Sequence, residues 1–159
     1  GLAPSSFGFL AFLHSSAYMA GAMTVSALSE KLSEPSKVIS ISALVMCGSA
    51  MAMLLLGLTG YASVITIMVF MVIFGYALGA ILPLGVAGAL SPFQARAGTA
   101  TALLGAMQMT AGAIASAVVA AFPDIPSIAF PTVMIVMTGT AVYNSRRRTN
   151  EATDSETKS

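Results

Sequence analysis

The chain has 159 residues, 57% of them hydrophobic and only 8% charged, with a net charge of +1 and a mean hydropathy of +0.88. A soluble domain carries about a quarter charged residues, because its surface must hold water. This balance excludes an ordinary cytosolic enzyme, a nucleic-acid binder and a disordered chain, and a single cysteine, Cys47, excludes a disulfide scaffold.

The Asp, Glu, Lys and Arg residues all lie at positions 30–37, 96, 124 and 146–158. Between them run five charge-free stretches, predicted as helices over 7–29, 38–58, 64–90, 97–122 and 127–145. Each has the length that crosses a bilayer core, for which about 20 helical residues suffice. In hydrocarbon every backbone N–H and C=O needs an internal partner, and an α-helix supplies it within one segment. A barrel would alternate polar and apolar positions, and the run from Met51 to Leu56 does not alternate. The expected fold class is therefore an all-α membrane protein with five transmembrane helices.

The first segment carries His14, with Ser15, Ser16 and Tyr18 close by and Tyr18 one turn on. A histidine there could carry protons near neutral pH, or sit by the outer headgroups. The second segment offers only Ser40, Ser42, Ser49 and Cys47 as polar or weakly polar side chains. In the third, Gly75 and Gly79 form a G-x-x-x-G four residues before Pro83, which removes a backbone donor and should bend the helix. In the fourth, Gly98, Gly105 and Gly112 recur every seven residues. Small residues at such spacing let helix backbones approach closely. They are read as plain packing or as smooth faces that slide during a transport cycle. Gln108 shares a face with Gly105 and Gly112, and an amide in lipid is costly. It should point into the bundle or a wet cavity, as an interhelical hydrogen bond or as a substrate contact. The fifth segment ends at the tail 146–159, a polar stretch opening on Arg146, Arg147 and Arg148. Such a cluster reads as a stop-transfer signal with a frayed end.

Every Lys and Arg falls on alternate connections, or on the tail, and those sides are cytoplasmic by the positive-inside rule. The C-terminus is then cytoplasmic and Gly1 lies on the other face. No span contains Asp or Glu. No zinc spacing, Ser-His-Asp set or phosphate loop can be assembled, so neither a catalytic nor a metal site is expected and the chain is not read as an enzyme. No cleavable signal is visible, and the chain opens on Gly1 rather than methionine, as a piece of a longer protein would.

From Ser91-Pro92-Phe93 through Ala97-Gly98-Thr99-Ala100-Thr101-Ala102-Leu103-Leu104-Gly105 to Gln108 and Gly112-Ala113, the sequence resembles the tenth-to-eleventh helix region of the Bcr/CflA drug:proton antiporters of the major facilitator superfamily. The layout of five spans resembles helices eight to twelve of such a twelve-helix transporter, part of its C-terminal six-helix bundle. The resemblance implies a multi-pass protein of the bacterial inner membrane, with Gly1 on the periplasmic side and the N-terminal half missing. It implies alternating access driven by a proton gradient, with no other cofactor and with small amphipathic drugs as substrates. By that analogy the first, third and fourth segments line the central cavity, with Gln108, His14 and Tyr18 as its contacts, and the second and fifth pack outside. Two departures stand out. The connection Glu30-Lys31-Leu32-Ser33-Glu34-Pro35 is a degenerate form of the family's basic, glycine-containing motif. The coupling carboxylate usually lies in the half that is missing here. The alternatives are a facilitator for sugars, amino acids or organic acids, and a small membrane-embedded interaction subunit without transport activity.

Overall fold

The computed structural model describes the backbone of residues 4–28, 35–61 and 63–156, and the side chains of 8–28, 35–61 and 63–143. Gly1, the charged connection 30–34 and the side chains of the arginine tail lie outside the described residues. The elements are α1 (Pro4–Leu28), α2 (Pro35–Thr59), α3 (Val64–Leu90), a 3-10 turn (Ser91–Arg96), α4 (Ala97–Ala120) and α5 (Pro126–Glu156). Among the described residues there is no strand.

The helix ends follow from local chemistry. Three helices open on proline (Pro4, Pro35 and Pro126), whose missing N–H belongs to a first turn that lacks a partner anyway. Gly60, at φ 75°, ends α2 in the left-handed conformation that closes helices. Ser63 then caps α3 by accepting the Thr66 N–H at 3.2 Å. At the far end of α3, Pro92 has no N–H for the Gly88 carbonyl, and the Ser91 hydroxyl donates to it at 3.0 Å instead. Phe93 leaves the helical region (φ −113°, ψ 24°), and α4 restarts at Ala97. The tail differs from the frayed end expected of it. The α5 helix runs on past Ser145 to Glu156, through a stretch without proline or glycine.

Three helical stretches are long and apolar enough to cross a membrane: Pro35–Thr59, Val64–Ala120 and Pro126–Tyr143. The middle one has 57 residues. At 1.5 Å per residue it would extend roughly 85 Å, far beyond a core of about 30 Å. The turn at Ser91–Arg96 divides it into α3 and α4. The first of the five expected spans is a helix, α1, and is not among these three. His14, Ser15, Ser16, Tyr18 and Thr24 dilute its apolar run. At most 33% of the best apolar window in each stretch is buried inside the chain. Large side chains such as Phe12, Ile65, Leu103 and Met109 point outward. A water-soluble bundle would hide these groups, whereas lipid accepts them.

Helix α1 packs on α3, α3 on α2, and α2 on α5, while α4 touches α5 and the end of α3 only lightly. The α1–α3 pair runs parallel: His14 meets Met71 and Gly75, and Tyr18 meets Gly79 further along both helices. Gly57, near the end of α2, lies against Ser127, at the start of α5, so those two helices are antiparallel. Small side chains dominate the buried positions of α2, α3 and α5: Ala43, Ala50, Ala77, Ala80 and Ala129. Met53 is the largest side chain that is fully buried among them. Small residues suit a bundle whose helices gain van der Waals contact rather than hydrophobic drive. Hydroxyls turn back onto their own helices, as when Ser49 donates to Val45 O at 2.9 Å and Thr132 to Ile128 O at 2.7 Å. No water is then needed to satisfy them.

Candidate functional site

The site begins at a glycine. Helix α3 passes α1 so closely that a Cβ on Gly75 would come within 2.8 Å of the His14 ring. With no side chain there, the imidazole fits against α3 and its Nδ1 stands 3.0 Å from the Met71 carbonyl oxygen. One turn on, a Cβ at Gly79 would strike the Tyr18 carbonyl, and one at Gly21 would strike the Tyr76 carbonyl. The two backbones are therefore in direct contact. The Tyr76 hydroxyl closes the same seam by donating to Thr24 Oγ1 at 3.1 Å.

Beside this seam opens a cavity of about 810 Å³, walled by all five helices. His14 reaches it from α1, Met46 from α2, Phe74 and Leu78 from α3, Ser116 from α4 and Met137 from α5. The lining contains no charged side chain, and its polar ones are His14, Ser116 and Thr138. Thr138 is buried, and its hydroxyl already donates to Met134 O at 2.8 Å. A cavity of this size, apolar with a few polar groups, has the build of a small-molecule site. Among the described residues no three His, Cys, Asp or Glu side chains gather as a metal set would.

The residues singled out from the sequence fall in different places. His14 lines the cavity and Gly75 lets it get there. Gly112 also lines it. Tyr18 is half-buried in the α1–α3 seam, with its carbonyl against Gly79, and does not line the cavity. Gln108 is exposed on α4, one turn before the cavity wall begins at Gly112. Within this chain the amide therefore meets no bundle interior. Gly98, Gly105 and Gly112 meet nothing within 4 Å of an added Cβ, so no close helix approach is made at them within this chain. Thr99 lines a separate cleft of about 300 Å³ with Phe93, Arg96 and Met107. Pro83 lies exposed within a continuous α3.

Gly21, Gly57, Pro131 and Thr138 went unremarked in the sequence. Gly21 belongs to no spaced motif, yet it contacts backbone as closely as Gly79. Gly57 lies against the Ser127 carbonyl. Pro131, four residues on, cannot donate to that carbonyl, which leaves it free to face α2. The signal was the proline rather than the glycine. Thr138 was one hydroxyl among many in an apolar run. No family model, no curated protein and no solved structure matches this chain.

Proposed function

We propose that this chain is the C-terminal part of a proton-driven efflux transporter for small amphipathic drugs, of the Bcr/CflA type within the major facilitator superfamily. The observation that carries the reading is the 810 Å³ apolar cavity within a bundle of apolar helices. A sugar or organic-acid facilitator would need many hydrogen-bonding or cationic groups there, and the lining offers His14, Ser116 and Thr138 alone as polar side chains. In this reading the tail and the two connections that carry Lys or Arg face the cytoplasm of a bacterial inner membrane, and the missing half supplies the rest of the translocation path and the proton site. The test is expression of the intact protein in a hypersensitive bacterium. Tolerance to at least one compound should rise, and filling the cavity with Gly112→Leu should reduce the gain. No gain for any compound sinks the reading.

A second reading, a membrane-embedded interaction subunit, is favoured by α4, which has no buried residue. Continuous coding sequence upstream of Gly1 with seven more apolar stretches would exclude it.

A further inference from the structure

His14 is the one histidine of the chain. Its Nδ1 stands 3.0 Å from the Met71 carbonyl oxygen, and a carbonyl only accepts. The Nδ1 atom therefore carries the proton. In the neutral ring this leaves Nε2 with a bare lone pair. No donor among the described residues reaches Nε2. Nor is any unpartnered side-chain nitrogen or oxygen sealed from the surface. Nε2 is thus accessible, on a residue that lines the cavity.

Resting on the efflux reading of that cavity, we infer that it selects uncharged apolar molecules bearing a hydrogen-bond donor, such as phenols, which donate to His14 Nε2. The lining has no carboxylate to neutralise a cation and no lysine or arginine to hold an anion. Thr138 has already committed its proton to Met134 O. Ser116 stands on α4, which does not touch α1, so it does not compete for the His14 ring. The ring is held in place twice, by the Met71 carbonyl and by its close fit against Gly75. One hydrogen bond of this kind contributes about a three- to tenfold preference.

A single histidine gives one pair of ring-nitrogen resonances, so the chain labelled with nitrogen-15 histidine in lipid nanodiscs reports this site alone. The probes are β-naphthol and its methyl ether, which share a ring system and differ in the donor. The free chain should show a protonated Nδ1 and an unprotonated Nε2. Adding β-naphthol should move the Nε2 resonance and leave Nδ1 in place. The methyl ether should bind three- to tenfold more weakly without moving Nε2, and His14→Phe should bring the two probes level. A protonated Nε2 in the free chain, equal binding of the probes to the wild type, or β-naphthol binding with Nε2 unmoved would each overturn the inference. Because the wild-type spectra decide the matter, a failure of His14→Phe to fold does not protect it. These spectra involve no transport. Lost drug tolerance with an intact Nε2 response sinks the efflux reading alone, and the converse sinks the donor rule alone.

Discussion

Helices α3 and α4 draw on the same small residues and use them in opposite ways. In α3, Gly75 and Gly79 lie against a ring and a backbone carbonyl of α1. In α4, Gly98, Gly105 and Gly112 face open space, and no residue of the helix is buried. Spacing is equally regular in both. What differs is whether a second helix brings a matching gap to the same height. Along the α1–α3 seam it does, because Gly21 answers Gly79 and each takes the other helix's backbone. A glycine repeat is therefore half of a contact, and the sequence of one helix cannot state the other half. The whole chain exposes 10620 Å², against roughly 7,500 Å² for a compact monomer of its mass. The unused face of α4 is part of that excess.

The largest effect should come from breaking the seam. Gly79→Leu would drive a branched side chain into the Tyr18 backbone, which cannot yield as a flexible side chain would. The expected cost is about 3 kcal/mol or more, read as a lowered unfolding midpoint in mixed micelles. Gly21→Leu should match it, since it strikes the Tyr76 carbonyl from the other side. A neutral result for either would mean that the two backbones are not in contact.

A smaller effect is expected at Gly75. Here an added Cβ meets the His14 ring at 2.8 Å, and a ring can turn, while the His14 carbonyl oxygen at 3.2 Å has to give only a few tenths of an ångström. Gly75→Ala should cost about 1 kcal/mol, mainly the hydrogen bond to the Met71 carbonyl. The histidine resonances should then show a mixture of tautomers. An unchanged spectrum would mean that the close fit at Gly75 does not set the ring's position.

How far the sequence could be read follows the same division. Helical class and apolar character were legible because they depend on composition and on the need of each backbone group for a partner. The break at Ser91–Arg96 was legible too, since Pro92 removes a donor wherever it stands. The site was legible only in part. His14 stood out as the one histidine, inside a predicted span, but its partner is a backbone carbonyl 57 positions away, and no side-chain pattern encodes that. Gln108 stood out by the same reasoning and lies outside the cavity, because the wall of α4 begins a turn later. An amide's cost in lipid says that it needs a partner, not that this chain provides it.

Gly105→Leu separates the two helices more finely. Within this chain an added Cβ meets no atom, so stability should rise by about 1 kcal/mol, the helix gain from replacing a mid-helix glycine. In the intact protein, where the proposed missing half would lie against α4, the same change should lower drug tolerance. Lost stability in the isolated chain would place a neighbour against Gly105 that the structure does not contain.

The smallest effect, at Gly98, is informative through its sign. Gly98 is the second residue of α4, exposed, with open space where a side chain would go. Alanine there removes backbone freedom from the unfolded chain and favours the helix, a gain of about 0.5 to 1 kcal/mol when nothing stands in the way. Gly98→Ala should therefore stabilise the isolated chain, by the same unfolding assay that shows Gly79→Leu to be costly. If the gain is kept in the intact protein, the start of α4 faces lipid there as well. If it turns into a loss, another helix has come within van der Waals reach of Gly98, and α4 has found the second half of its contact.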